Sequence, residues 1–340
     1  MPVDGRLLAA TLLAILIAGT AAASETKDDR TPAAGAGSET PAPNKQLDPP
    51  FAQRQFDVDP TRFGLRPSDE AFGAFQRGLY LTAHNLAKPL AENGNAQAQV
   101  LLAEILARGL GVPRDDAGAA HWYREAALHG IPEAEFQYAL LLLEGHFYEK
   151  DQKEAMRLMR KAADAGNRLA QFNVAQLLVQ ERPGPAGMRE ALPYFRKSAE
   201  AGVPDAQYAL SQILSSGIAN IIPDDEEALK WLTLAAQQNY DTAQVDLGTW
   251  LVEGRGGQRD AKAGFRWLKL AADQGNVAAQ NRVAKLYRAG VGVEADAVEA
   301  AAWYILARRA GLVDHELDVF MEGLTDETKK KALERANRLR

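Results

Sequence analysis

Residues 162–171 read AADAGNRLAQ, and residues 271–280 read AADQGNVAAQ. A near-match over ten letters, 109 positions apart, is too long for coincidence. An internal repeat is the first hypothesis to test, because a missed repeat mis-assigns the whole fold.

Working outward from these stretches, a glycine closes an alanine-rich segment at Gly94, Gly130, Gly166, Gly202, Gly275 and Gly311, and Asn239 takes the same place between Gly202 and Gly275. The intervals are 36 residues, with a single one of 37. The ten-letter echo is therefore the same joint seen three periods apart. The chain is a repeat array.

Each unit reads as two helices. In residues 94–130, Ala96, Val100, Ala103 and Leu106 recur at three- and four-residue spacing, which places them on one helical face. Gly109 and Gly111 supply the backbone freedom that ends this helix. Asp115 or Asp116 can cap the next one by accepting N–H bonds from its first turn. The second helix runs out at Gly130, and Asn239 suits the equivalent point because asparagine tolerates the left-handed conformation. Eight residues before each marker stand Trp122, Leu158, Tyr194, Trp231, Trp267 and Trp303. Large apolar residues at one repeat position predict a packing ladder between helices. Small residues follow them, as in Ala126–Ala127, Ala162–Ala163, Ser198–Ala199, Ala235–Ala236 and Ala271–Ala272, and let neighbouring helices interdigitate.

These residues resemble Sel-one-like repeats, the 36-residue relatives of tetratricopeptide repeats. Residues 275–311 carry the pattern in full, with Ala279, Val283, Leu286–Tyr287, Gly290, Gly292–Val293, Asp296, Ala300, Trp303–Tyr304 and Gly311. Six units cover residues 94–311. The resemblance implies an all-α fold, a right-handed α-solenoid of antiparallel helix pairs, used for protein–protein interaction and often found in bacterial envelopes. One cysteine-rich branch of that family is linked with β-lactam handling. Its repeats are disulfide-stapled, and this chain has no cysteine, so that link transfers poorly.

Two units depart from the pattern. Between Gly166 and Gly202 the inter-helix loop reads QERPGPAGMR, with two prolines and no G-x-G-V. Between Gly202 and Asn239 it reads SSGIANIIPDD, one residue longer, with Ile218, Ile221 and Ile222 expected to be exposed. Both are read as tolerated variation in preference to local contact points, although insertions in repeat arrays map to one face. Residues 61–93 are read as a shortened N-terminal helix pair, with Leu86 on the ladder position, and residues 312–340 as C-terminal capping helices. There LTDETKKKALERA predicts a helix starting at Thr325, and Lys329–Lys331 read as a solvated face.

The chain begins differently. An apolar run at residues 7–18 follows a single arginine, and GTAAAS offers small residues, with Ala21 and Ala23 matching the A-x-A pattern. Residues 1–23 are therefore expected to be a signal peptide cleaved after Ala23, leaving Ser24 first. The run is too short to span a bilayer comfortably, so no membrane span is expected in the mature chain. Residues 24–60 mix Pro, Ala, Gly, Ser, Thr and charge, a composition expected of a disordered linker.

Chemistry is sparse. The net charge of -6 gives no basic excess for a phosphate backbone, which argues against a nucleic-acid partner. His84, His121, His129, His146 and His315 fall at unrelated repeat positions and form no metal spacing. G-x-G-V at 109–112 and 290–293 lacks the strand and further glycines of a phosphate loop and reads as an inter-helix turn. The sequence assigns no catalytic residue, no cofactor and no metal ligand, and it leaves the binding residues open. Gln99, Gln137, Gln171, Gln207, Gln244 and Gln280 would line a groove made by first helices, although a role bridging adjacent helices is preferred for them. The expected function is a non-catalytic periplasmic scaffold or adaptor that takes a partner protein or peptide in the solenoid groove. The alternatives are a regulator of an envelope signalling receptor, a cell-wall or glycan-associated factor, and, last, a β-lactam-type hydrolase.

Overall fold

In the computed structural model the described residues are 70–218 and 221–339. The expected signal peptide (1–23), the expected linker (24–60) and the start of the N-terminal pair lie outside them. Every regular element among the described residues is a helix. They fall into two compact units, 70–134 and 135–339.

The first unit holds α1 (Glu70–Gln76), α2 (Tyr80–Glu92), α3 (Ala96–Arg108) and α4 (Asp116–Leu128). Consecutive helices pack against each other around Ala83, Ala87, Leu102 and Ile105. On α3, Val100 and Ala103 are buried as the spacing predicts. Ala96 and Leu106 lie at the margin, because the buried face centres on Leu102 and Ile105.

The second unit begins within α5 (Pro132–Glu144) and runs through α6 (Gln152–Asp164), α7 (Arg168–Glu181), α8 (Pro185–Glu200), α9 (Pro204–Ser216), α10 (Asp225–Gln237) and α11 (Asp241–Glu253). It continues with α12 (Ala261–Asp273), α13 (Val277–Ala289), α14 (Ala297–Arg309), α15 (His315–Glu322) and α16 (Asp326–Arg338). From α6 to α14 each helix packs on the next, and α14 also holds α16, which gives a helix-pair repeat of the α-solenoid class.

Local chemistry explains the boundaries. The Asp115 carboxylate accepts the Gly118 N–H at 2.8 Å, so Asp115 and not Asp116 caps α4. Asp151, Asp224, Asp260 and Asp296 do the same for α6, α10, α12 and α14. Such caps satisfy N–H groups that a helix start would otherwise leave orphaned. Asn239 has φ 62 and is the one non-glycine residue with positive φ among the described residues, as its place in the glycine series requires. Gly292 is needed for two reasons. Its φ is 72, and a Cβ there would meet the Ala261 carbonyl oxygen at 2.0 Å. The loop of one repeat thus rests on the first turn of the preceding repeat's second helix, and the second glycine of G-x-G-V permits that approach.

The packing ladder is displaced by one residue from its expected place. Trp122, Tyr194, Trp231 and Trp267 are only half-buried, as is Leu86. The large buried residue is the next one along: Tyr123, Met159, Phe195, Leu232, Leu268 and Tyr304. Leu158 and Trp303 are buried as well. The small-residue pairs are buried throughout, as interdigitating helices require.

The two irregular loops resolve differently. Pro185 sits at the first turn of α8, and the helix extends to 16 residues, so most of the expected loop is helix. In the other loop Ile222 is 86% exposed, whereas Ile218 and Ile221 are half-buried. Thr325 caps α16 by accepting the Thr328 N–H, and Ala332 and Ala336 form its buried stripe. Lys330 and Lys331 are exposed, the latter paired with Glu327 one turn away.

Candidate functional site

Repeat position can be counted from each marker residue. Position five carries Gln99, Gln171, Gln207, Gln244 and Gln280, all buried. Each donates its Nε2 to a carbonyl oxygen in the last turn of the preceding helix: Ala91, Ala163, Ala199, Ala236 and Ala272, at 3.1 to 3.4 Å. These glutamines bridge helices and do not line a groove. Each of these carbonyls already accepts the N–H of its marker residue three positions on, Gly94, Gly166, Gly202, Asn239 and Gly275, so the amide adds a second hydrogen bond to an oxygen with two lone pairs.

Gln137 does not belong to this series. Position five of its unit is Glu135, which is 1% exposed and pairs through Oε1 with Lys161 on α6. Its Oε2 is buried with no partner. A carboxylate cannot donate, so this unit lacks the amide found in the other five.

Positions seven and ten of the first helices make a second row, which spacing arguments did not single out. Within the second unit the pairs are Gln137 and Leu140 on α5, Asn173 and Gln176 on α7, Ala209 and Gln212 on α9, Asp246 and Thr249 on α11, and Arg282 and Lys285 on α13. Gln212 donates to Asp246 Oδ2 at 3.3 Å. Arg282 donates to Thr249 Oγ1 and to the Val245 carbonyl. Position ten of one repeat thus meets position seven of the next. Lys285 closes the row on Asp314 of the α15 cap at 2.7 Å, with Asn281 on the same carboxylate at 2.9 Å. The signal missed in the sequence is a polar residue recurring at these positions on α11 and α13, and at position ten on α9, while its identity changes from repeat to repeat.

The electrostatics of the row follow from burial and neighbours. Burial raises the Asp246 carboxyl above the ordinary carboxylate range, against hydrogen bonds from Tyr208 and Gln212 and the fields of Arg282 and Arg255. Tyr208, which donates to Asp246 at 2.9 Å and stacks on Tyr240, is pushed upward by burial and then by that carboxylate, so it remains a protonated donor. At Asp314 partial burial opposes ionisation. Hydrogen bonds from Lys285, Asn281 and the Leu317 N–H outweigh it and hold the carboxyl down at about 2.

This arrangement can hold and orient hydrogen-bonding groups along several repeats. Among the described residues no group of three or more His, Cys, Asp or Glu is placed to hold a metal ion. No helix among them is long and apolar enough to cross a membrane.

The Sel1 repeat profile matches residues 96–131, 132–167, 168–203, 204–240, 242–276 and 277–312. Among solved structures, a Sel1 repeat protein from Oxalobacter formigenes is 31% identical with a TM-score of 0.55, over 72% of this chain and 70% of that one. A protective antigen of uropathogenic Escherichia coli is 27% identical with a TM-score of 0.52, over 76% of this chain and 64% of that one, so the match spans just under two thirds of that antigen. A search of curated proteins gives no match. Sel1 repeat proteins are generally protein-interaction scaffolds. With six matched repeats, a helix-pair architecture and a relative of the same kind at this identity, the chain belongs to the Sel1 repeat family.

Proposed function

We propose that this chain is an exported, periplasmic, non-catalytic adaptor that binds a partner protein or peptide along its first helices. The observation that carries the reading is the row of half-buried polar side chains over successive repeats, from Gln212 and Asp246 to Thr249, Arg282 and Lys285. A recognition surface spread over several repeats suits an extended partner, with affinity summed from many modest contacts. Export is supported by the apolar run at residues 7–18 and the small residues up to Ala23. A relative described as a protective antigen fits a protein presented outside the cytoplasm.

Affinity purification of the tagged full chain from an envelope fraction, with mass identification, tests the reading. A stoichiometric protein partner supports it, and a signalling receptor among the products would assign a regulatory role. Retention that depends on cell-wall glycan would replace the protein partner with a polysaccharide. Turnover of a substrate lost on a single-residue change would overturn the non-catalytic reading. Intact mass of the mature protein tests export, since Ser24 is the expected first residue.

A further inference from the structure

The last second helix, α14, breaks the pattern of the six before it at three positions. Counted back from each marker residue, the sixth position of the earlier second helices is polar: Lys88, Arg124, Arg160, Arg196, Thr233 and Lys269. On α14 it is Ile305. The third position back is a buried alanine in every earlier second helix, as at Ala236 and Ala272, and on α14 it is Arg308. The second position back is Glu92, Leu128, Asp164, Glu200, Gln237 and Asp273, never a cation, and on α14 it is Arg309. A cation in the last turn suits the helix dipole, but six second helices form without one at this position, so the fold does not require it.

The three changed positions meet in one place. Ile305, Arg308 and Arg309 line an open cavity of about 230 Å³ together with Tyr304 and with Met321 of the α15 cap. Tyr304 is fully buried, and its hydroxyl is spent in donating to Asp318 Oδ1 at 2.6 Å and accepting the Asp314 N–H at 3.1 Å, so the cavity meets its ring. Ile305 and Met321 are half-buried, and Arg308 and Arg309 are exposed. Arg308 pairs with Asp318 Oδ1 at 3.1 Å, and Arg309 donates from Nη2 to the neutral amide oxygen of Asn337 at 2.9 Å. A guanidinium has five N–H donors in a planar fork, so each arginine keeps donors for an acid group.

We propose that this cavity binds a free carboxylic acid, in its ionised form, with an apolar tail of about eight carbons. Apolar walls beside two cations select a ligand with both parts. The tail leaves water against Tyr304, Ile305 and Met321, and the carboxylate takes charge-assisted hydrogen bonds from Arg309 and Arg308. The size follows from the volume. An apolar cavity of about 150 Å³ holds a benzene ring, so about 230 Å³ takes roughly half as much again. The site lies on a second helix and the cap, away from the polar row of the first helices. It therefore goes beyond the interaction reading and does not depend on it.

Octanoate titrated calorimetrically into the full chain, below the concentration at which it forms micelles, tests the site. Saturable binding is expected, weakening about two- to fourfold for each methylene removed in heptanoate and hexanoate. Octanol and octylammonium are expected to bind at least about tenfold more weakly, because neither offers a carboxylate to the arginines. The double variant Ile305→Lys, Arg309→Asp gives α14 the residue types that α12 carries at the same positions, Lys269 and Asp273, so it is expected to melt close to the wild type. Its affinity for octanoate is expected to fall by at least about tenfold. Equal affinity in the folded variant overturns the site, as does octanol binding as tightly as octanoate, or no saturable binding at all. Should the double variant melt far below the wild type, Arg309→Gln alone decides on an exposed side chain: weakened binding supports the site, and unchanged binding overturns it.

Discussion

The side-chain amide of Gln171 donates to the backbone carbonyl oxygen of Ala163 at 3.1 Å, tying the last turn of α6 to the first helix of the next repeat. The same bond recurs at four other joints, always eight residues apart in the chain. It adds a second hydrogen bond to a carbonyl that already accepts the marker residue's N–H, and so ties the end of one repeat to the first helix of the next. Gln171→Ala is expected to cost about 1–2 kcal/mol in denaturant unfolding, from the lost hydrogen bond and the buried amide's packing. An unchanged midpoint would show the bridge to be incidental.

Glu135 is the counter-example within the series. Its carboxylate is buried where five other repeats carry an amide, and its Oε2 has no partner. Its ion pair with Lys161 holds a side chain that is 54% exposed, so the pair contributes little. Glu135→Gln is expected to raise stability by about 1 kcal/mol, read as a higher unfolding midpoint. A lower midpoint would mean that the carboxylate is needed as it stands.

Phe195 and Tyr194 separate the two possible ladders. Phe195 is 2% exposed and packs against Phe172 with ring centroids 5.9 Å apart, whereas Tyr194 is half-buried. Phe195→Ala is expected to cost about 3–5 kcal/mol. Tyr194→Ala is expected to cost less than half of that, although it removes a larger side chain. Equal losses in thermal or urea unfolding would restore the ladder to the tryptophan positions.

Asp314 gives the C-terminal cap an acid-sensitive joint. Its carboxyl is held at about 2 in the folded chain, below the ordinary value of about 3.9. A depressed carboxyl stabilises the fold fully above its unfolded value, and the contribution fades as pH falls from about 4 toward 2. In Lys285→Met the difference in stability between pH 4 and pH 2 is expected to shrink relative to the wild type, in urea titrations at each pH. An unchanged slope would remove Lys285 from the cause.

Much of this was legible in the sequence. The glycine series set the repeat length, and even its exception, Asn239, adopts the left-handed backbone that its place demands. The ladder was misplaced by one residue because tryptophan is the more conspicuous letter. Tyr123, Met159, Phe195, Leu232, Leu268 and Tyr304 differ in chemistry and share only size, so they do not announce themselves as a column. The glutamine column was legible, and its preferred bridging role holds at five joints. Gln137 was assigned to it by residue type, whereas strict counting reaches Glu135. The polar row escaped notice for a deeper reason. Its partners come from successive repeats, and a pair such as Gln212 and Asp246 becomes visible only once two helices are set side by side.

The central claim is that the first helices bind a partner protein, and site-specific photo-crosslinking in cells tests it most directly. A photoreactive residue is placed at Gln212 on α9, within the polar row, and as a control at the exposed Lys197 on α8. The expected result is one discrete protein adduct from position 212, identified by mass, and none from position 197. Adducts from the second helix alone, or none from either position, would contradict the account.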